Sequence, residues 1–285
     1  MRCAWTELLS ILPNWMQQEV DSLGKDKLQE LRLRINAPPE LVLERERIYL
    51  SKCISRDDIN FCINTASRYS PWSASSAASG YITAPGGHRI GLCGTVVCKN
   101  GTVSGVRTLT SLCIRVARDI SGIAGGVAHR KGSVLILGAP GWGKTTLLRD
   151  LIRQRSHNGE HICVVDERGE LFPEGFSAGK LTDTLTGCSK AAGIPMVLRT
   201  MGPECIAVDE VTAPEDASAL VSAAWCGVSL LATAHAASVQ DFLQRPVYAS
   251  IAKHHLFDTI VVMHPDKTWH TERSYQWNTN GSAHF

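Results

Sequence analysis

No charge of one sign dominates this 285-residue chain: 29 Lys and Arg stand against 27 Asp and Glu, a formal net charge of +2. The molecule as a whole therefore lacks a field that would draw it onto nucleic acid or an acidic membrane, and any polyanion site must be local. Ten cysteines occur, but none forms a C-x-x-C pair, so the usual spacing of a zinc ribbon or a redox dithiol is missing. Cys163 and Cys205 lie inside apolar runs, where a thiol behaves as a small hydrophobe, and reduced, cytosolic residence is the default expectation. The N-terminal run meets Glu7 and Pro13 before any apolar stretch is long enough for a signal peptide, so no export signal is expected. Long hydrophobic runs are lacking too. The longest uncharged stretch, Ala217 to Ala234, has eighteen residues, at the lower limit for a bilayer span. Ser218, Ser222, Gly227, Ser229 and Thr233 interrupt it, and it is expected to be a helix followed by a buried strand over Val228 to Ala232. No internal repeat is visible. With 44% hydrophobic and 20% charged residues, the composition is that of a folded globular chain rather than a disordered one.

The first part of the chain predicts a small α+β domain over residues 1–120. Residues 1 to about 37 carry helix-like patterning, with Leu8, Leu9, Ile11 and Leu12 and then Leu28, Leu31 and Leu33; Pro38-Pro39 ends it. Asp57 to Tyr69 is again periodic, with Ile59, Cys62, Ile63 and Ala66 on one helical face and Ser55 as its cap. Short β-like runs follow at Gly80-Tyr-Ile-Thr, at Arg89 to Val97 and at Val103 to Arg107, with Asn100-Gly101 as a hairpin turn. Residues 121–132, rich in glycine, predict a linker. From Ser133 the order is strand, loop, helix, strand, and nearly continuous apolar strands alternating with helices predict a parallel sheet covered on both faces over residues 133–265. The polar residues 266–285 are expected to form a loosely ordered tail.

Gly138-Ala139-Pro140-Gly141-Trp142-Gly143-Lys144-Thr145 matches G-x-x-x-x-G-K-[ST] without a mismatch, directly after a strand and opening a helix. Glycines let backbone N–H groups approach phosphate oxygens, and the helix start presents further donors; Thr146 completes the cradle. Lys144 would neutralise the β- and γ-phosphates and Thr145 would ligate Mg²⁺. Trp142 inside the loop is unusual, serving either as a lid over the nucleotide or as a contact to a neighbouring chain. Ile206-Ala-Val-Asp209-Glu210 ends an apolar run in two acids, as a Walker B strand does. Asp209 would hold the Mg²⁺ shell through water and Glu210 would orient or deprotonate the attacking water. Asp166-Glu167-Arg168 ends another strand, and it could tune that water, form a structural ion pair or reach across a subunit interface. Thr233-Ala-His235 ends a third, as a γ-phosphate sensor or as a capped helix start. Ligands gather at the carboxyl edge of such sheets, so the three clusters reinforce one another. Arg107, Arg115, Arg118 and Arg199 are candidates for a catalytic or interface role. Arg149, Arg153 and Arg155 on the helix after the loop are expected to be its wet face.

With these residues in place the chain resembles the stage III sporulation protein AA family, a branch of the type II/IV secretion ATPases with a RecA-like P-loop domain. The resemblance covers nearly all of residues 1 to about 265. Beyond the P-loop it is carried by Leu31-Arg-Leu-Arg34, Gly80-Tyr-Ile-Thr, Gly86-Gly-His-Arg-Ile-Gly91, Ile114-Arg-Val-Ala-Arg118, Lys144-Thr-Thr-Leu-Leu-Arg-Asp150, Val165-Asp-Glu-Arg168, Val208-Asp-Glu210 and Ala232-Thr-Ala-His235. It implies an Asp box at Asp166, Glu167 and Arg168 and a His box at His235. It further implies ATP and Mg²⁺ as cofactors and a hexameric ring with arginines contributed across the interface. The implied role is in endospore formation. The protein would act in the mother-cell cytoplasm, peripheral at the outer forespore membrane, with membrane proteins of the mother cell–forespore channel as partners. Trp142 in place of a small residue, and the missing four-cysteine zinc module of several pilus ATPases, depart from the wider pattern.

The expected fold is thus α/β, a RecA-like P-loop domain with a parallel sheet preceded by a small α+β domain, and the expected activity is Mg²⁺-dependent ATP hydrolysis. The competing functions are a non-hydrolysing, nucleotide-dependent scaffold for a membrane complex and a RecA-like nucleic-acid motor. Near-neutral charge and the lack of a recognisable nucleic-acid module weigh against the motor.

Overall fold

The structure, a computed structural model, describes residues 2–68, 80–99 and 101–273. It divides into two compact units, residues 1–119 with 173–176, and residues 120–172 with 177–285.

In the first unit, helices Trp5–Ser10, Asn14–Leu23 and Arg56–Ala66 accompany an antiparallel sheet of strands β1 (Glu30–Arg34), β2 (Glu40–Val42), β3 (Arg47–Tyr49), β4 (Tyr81–Thr83), β5 (Arg89–Lys99) and β6 (Thr102–Arg115), in the order β3-β2-β1-β6-β5-β4. The third helix starts where the sequence predicts, because Ser55 and Asp58 form a reciprocal cap: Ser55 Oγ accepts from Asp58 N at 3.1 Å and the Asp58 carboxylate from Ser55 N at 2.8 Å. Tyr69, at the end of the expected helical stretch, lies outside the described residues, as does Asn100 of the expected hairpin turn; Lys99 pairs with Thr102 on either side of it. The helical expectation for Leu31 and Leu33 fails. Both belong to β1, where they are fully buried while Glu30, Arg32 and Arg34 point to the opposite face, the period of two that a strand imposes. Gly86, at φ 78°, is required by close packing, because a Cβ there would lie 2.2 Å from Ala4 Cβ. Next to it the fully buried His88 holds two chain segments together: its Nε2 bonds Ala4 O at 2.8 Å and its Nδ1 accepts from Ala117 N at 3.1 Å.

The second unit is built on a seven-stranded sheet of β7 (Val134–Leu137), β8 (Ile162–Asp166), β9 (Thr182–Thr186), β10 (Cys205–Val208), β11 (Ser229–Ala234), β12 (Thr259–Met263) and β13 (Trp269–Arg273), ordered β13-β12-β7-β11-β10-β8-β9. All neighbours are parallel except the β12–β13 pair. Alternate residues feed two cores: Leu135 and Leu137 enter one, Val134 and Ile136 the other, and the same alternation holds for Val165 against Val164. Helices Lys144–His157, Lys190–Met201 and Pro214–Trp225 connect the strands. No helix among the described residues is long and apolar enough to cross a membrane; the uncharged stretch divides into Pro214–Trp225 and β11.

Several expectations need correction. Residues 121–132, expected as a linker, begin just after the division between the two units and contain a short helix, Gly125–Ala128, whose N-cap Ala124 and whose Val127 and Ala128 are buried in the core under the P-loop helix. The region after Met263 begins with β13, whose Trp269 packs on that core and on Gly126; residues 274–285 lie outside the described ones. The edge strand β9, Thr-Asp-Thr-Leu-Thr, escapes detection because it is polar and mostly exposed. Arg149, Arg153 and Arg155 are buried rather than wet. Their guanidinium groups take carbonyl oxygens: Arg149 those of Glu170 and Leu171, Arg153 those of Ser177 and Ile120, Arg155 those of Gly132 and Arg130. A planar fork of five donors can satisfy loop carbonyls that water no longer reaches.

The fully buried Asp150 fastens the same region. It accepts from Gly122 N, Ala124 N, Arg153 Nη1 and Gln154 Nε2 at 2.7–3.1 Å. Asp150→Ala leaves these donors and the Arg153 charge unpaired, and should cost about 3–5 kcal/mol in urea unfolding. Burial pushes the His88 pKa below its ordinary value of 6.5, so the neutral ring is the folded form. Its contribution is complete above the unfolded value and is lost as the pH falls through the lower folded one. His88→Gln should accordingly be less stable at neutral pH and lose less stability than the parent below about pH 6.5.

Candidate functional site

The central residues of β7, β8, β10 and β11 are apolar on both faces, so polar side chains such as Asp166 and Thr233 collect toward the carboxyl ends of these strands. The P-loop follows β7. Gly141 and Gly143 take positive φ of 80° and 98°, and Gly143 is the left-handed N-cap of helix Lys144–His157, which has no side-chain cap. The first-turn N–H groups are therefore available to an anion. Trp142 is half-buried against the core that includes Leu147 and Leu148, so it packs onto its own unit. Thr146 is half-buried one position after Thr145; Pro140 is exposed at the tip of the loop.

Thr145 and Asp209 meet directly, with Thr145 Oγ1 donating to Asp209 Oδ2 at 2.8 Å. The other oxygen of Asp209 accepts from Thr233 Oγ1 at 2.6 Å, and the same hydroxyl accepts from Glu210 N at 2.8 Å. Thr233 is fully buried on β11, so its hydroxyl sets the end of β10 against β11. Glu210 has a positive φ of 50°, a conformation that a residue with a side chain adopts only when its surroundings impose it. The imposed turn carries the Glu210 carboxylate to His235 Nε2 at 2.9 Å and to Arg168 Nη1 at 3.6 Å.

On its other side His235 Nδ1 lies 3.1 Å from Lys144 Nζ, which also donates to Ala139 O at 3.1 Å. Lys144 has protons to give and no lone pair, so His235 accepts at Nδ1 and donates from Nε2 to Glu210. Lys144 thus connects through His235 to Glu210 and Arg168 in one chain. Burial lowers the Lys144 pKa, while Asp209 and Glu210 oppose the shift.

Of the acids after β8, Glu167 Oε2 pairs with Lys190 Nζ at 2.8 Å, and Asp166 is buried and accepts from the N–H groups of Glu170 and Leu171. Asp166 therefore shapes the loop that positions Glu167 and Arg168. A polar pocket of about 80 Å³ is lined by Glu167, Arg168, Lys190, Asp209, Glu210 and Thr212.

The four candidate interface arginines do not share one role. Arg118 donates to the carbonyls of Lys25 and Leu28 within the first unit, and Arg115 pairs with Glu30 at 3.3 Å. Arg107 is exposed on β6, and Arg199 is exposed in the last turn of helix Lys190–Met201. Two contributors were not legible in the sequence. Lys190 begins a helix distant from every motif, and the buried Tyr248 hydroxyl receives His235 N at 3.1 Å and donates toward Val211 O at 3.3 Å. Neither lies in a recognisable pattern, because folding alone brings them to the strand ends.

Comparisons with known proteins give the family and the fold. Residues 7–279 match the family model described as Sporulation stage III, protein AA. The chain is 35% identical to Stage III sporulation protein AA of Bacillus subtilis (strain 168) over 272 residues, 88% of each protein. Among solved structures, the fold resembles the Legionella pneumophila ATPase DotB (TM-score 0.59, 18% identity, 92% of this chain and 80% of that one). It also resembles the pilus retraction motor PilT solved with bound ADP (TM-score 0.61, 16% identity, 86% of this chain and 76% of that one). The α/β fold is thus the RecA-like fold of secretion ATPases.

The Thr233 hydroxyl organises two acids at once. Thr233→Val should cost about 1–3 kcal/mol, since it strips partners from the Asp209 carboxylate and the Glu210 N–H. Thr233→Ser, which keeps the hydroxyl, should recover most of that loss in the same denaturation experiment.

Proposed function

Because the chain belongs to the Sporulation stage III, protein AA family, we propose that it is a Mg²⁺-dependent ATPase whose turnover powers or assembles the mother cell–forespore channel during endospore formation. The observation that carries this reading is the convergence of Lys144, Thr145, Asp209, Glu210 and His235 at the carboxyl ends of β7, β10 and β11.

The residues suit both cofactors. A phosphate chain would lie against the glycine-rich turn, where a Cβ at Gly141 would meet nothing within 4 Å. The hydroxyl of Thr145 and the carboxylate of Asp209 are hard oxygen donors at one point, the set that holds Mg²⁺ together with phosphate oxygens. Thr145 would contact the ion and Asp209 would hold its water shell; when bound, the ion supplies charge neutralisation. Lys144 would leave Ala139 O and His235 for the β/γ oxygens, because a buried ammonium gains more from an anionic partner than from a neutral one. Glu210 would orient the attacking water and take its proton, with His235 and Arg168 fixing its carboxylate. Glu167 would be steadied by Lys190. These groups position reactants and stabilise charge, which is most of what phosphoryl transfer asks of a protein.

We further propose that the active form is a homo-oligomeric ring, a hexamer by resemblance, in which the exposed Arg199 is an available interface arginine. Association with membrane proteins of the channel at the outer forespore membrane belongs to the same proposal.

Lys144→Ala should abolish ATP binding. Glu210→Gln should bind ATP with little change and release phosphate about 100-fold more slowly or less; unchanged turnover in Glu210→Gln would remove the role given to this residue. Steady-state phosphate release with Mg²⁺-ATP, measured against protein concentration and mass by light scattering, should rise faster than linearly. Tight ATP binding without release at any mass would instead favour a nucleotide-dependent scaffold.

A further inference from the structure

The sheet of the first unit is covered on one face by its helices, through Leu31, Leu33, Leu112, Ile114 and Ile90. The opposite face carries an ordered set of arginines. Glu30 pairs with Arg32 at 3.0 Å and Arg115 at 3.3 Å, and Glu40 with Arg34 at 2.8 Å and Arg47 at 3.1 Å. The side chain of Glu40 is only 5% exposed, against 42–65% for the four arginines. Each glutamate thus anchors two guanidinium groups from below and neutralises one of them, leaving a surplus of positive charge in fixed positions.

A second observation lies in the sequence of the same strands. No Asp or Glu occurs between Asp58 and Asp119, whereas that stretch contains Arg68, Arg89, Lys99, Arg107, Arg115 and Arg118. The segment that forms β4, β5 and β6 therefore carries basic residues and no acid of its own; acids from elsewhere reach two of them, Glu30 pairing with Arg115 at 3.3 Å and Glu174 with Arg68 at 2.9 Å.

The third observation is geometric. β4 pairs only with Arg89 to Gly91, and β1 only with Ser111 to Arg115, so β5 and β6 continue past the sheet as a two-stranded arm. Register shifts after Cys93, Thr95 and Val97 mark the bulges that twist it. The arm exposes Val96, Val97 and Val103 at 49%, 38% and 40%, and Arg107 is exposed beside them. Among the described residues nothing pairs with this part of the ribbon, and these apolar side chains stand exposed on it.

We propose that the β5–β6 arm and the arginine face beside it form a docking surface for an anionic phospholipid membrane, the valines entering the interface while the arginines meet headgroup phosphates. Small apolar insertions combined with clustered basic residues are the means by which a protein without a spanning helix holds an acidic lipid surface. Pairing with a second copy is disfavoured because it would bring together two arms that carry basic residues and no acids. A nucleic-acid strand is disfavoured on the arm because its exposed apolar side chains, Val96, Val97 and Val103, are aliphatic rather than aromatic. On the arginine face the ring of Tyr81 is covered by Arg89 at 3.9 Å, which leaves the exposed Tyr49 beside Arg47 as a stacking position that the polynucleotide comparison below tests. The inference does not rest on the nucleotide chemistry, which belongs to the other unit.

The test is co-flotation of the full chain with vesicles of phosphatidylcholine alone or with about one-third phosphatidylglycerol, in low and high salt, with ATP binding measured on the same samples. Binding should require phosphatidylglycerol and fall with salt. Arg32→Gln/Arg34→Gln/Arg115→Gln and, separately, Val96→Thr/Val97→Thr/Val103→Thr should each lower it about tenfold or more, with ATP binding unchanged. The threonines keep β-branched shape at exposed positions, so the second variant remains informative if the first unfolds. Equal binding to both vesicle types, equal binding by the arm variant, or tighter binding to a single-stranded polynucleotide than to anionic vesicles would each overturn the proposal. Intact ATP binding in those same samples would leave the nucleotide reading untouched.

Discussion

Burial of β7, β8, β10 and β11 on both faces is the constraint from which the second unit follows. A strand covered on two sides has no place for a polar side chain except at its ends, and parallel pairing puts all the carboxyl ends on one edge. Lys144, Asp166, Asp209 and His235 therefore converge from distant parts of the chain without any need for local sequence to bring them together. Within that edge a few hydroxyls do the positioning. The buried Thr233 joins Asp209 to Glu210, and the Tyr248 hydroxyl joins the loops after β10 and β11. The strained backbone at Glu210 is held by these contacts, and its carboxylate reaches His235 for that reason.

The same physics explains which polar residues are structural. Asp150 and the arginines 149, 153 and 155 sit on the helix that opens with the P-loop, yet all four are buried and spent on loop carbonyls and amides. They anchor the segment around Gly125–Ala128 and the loop after β8 to the helix that opens at the glycine-rich loop. A helix start that must hold an anion in one position gains from being tied at its flank, because a misplaced cradle loses the benefit of orientation. In the first unit glutamates play the corresponding part, holding arginines in place from beneath the exposed face of the sheet.

Much of the architecture was legible in the sequence. The P-loop, the apolar strands that end in Asp166, Asp209 and the Thr233–His235 segment, and the cap at Ser55 each have a local signature. A strand needs an apolar run, a cap needs a short polar side chain three residues from a partner, and a phosphate cradle needs glycines at fixed spacing. Errors fell where the local signal is shared by two structures. Leu31 and Leu33 alternate in a segment too short to separate a period of two from one of 3.6. Polar β9 has no apolar run at all, and the glycine-rich residues 121–132 hide a short buried helix.

The sequence by itself determined which groups are on offer: a glycine-rich loop with the P-loop pattern, strand-end acids and a histidine, whose identities follow from motifs of contiguous residues. Only the tertiary structure decided how those groups are connected. The Lys144–His235–Glu210–Arg168 chain, the Thr145–Asp209–Thr233 bridge, the support of Glu167 by Lys190 and the burial of Arg149, Arg153 and Arg155 all join residues far apart in sequence. Hydrogen bonds of that kind depend on which strands become neighbours, and strand order is set by the packing of whole faces rather than by any local pattern.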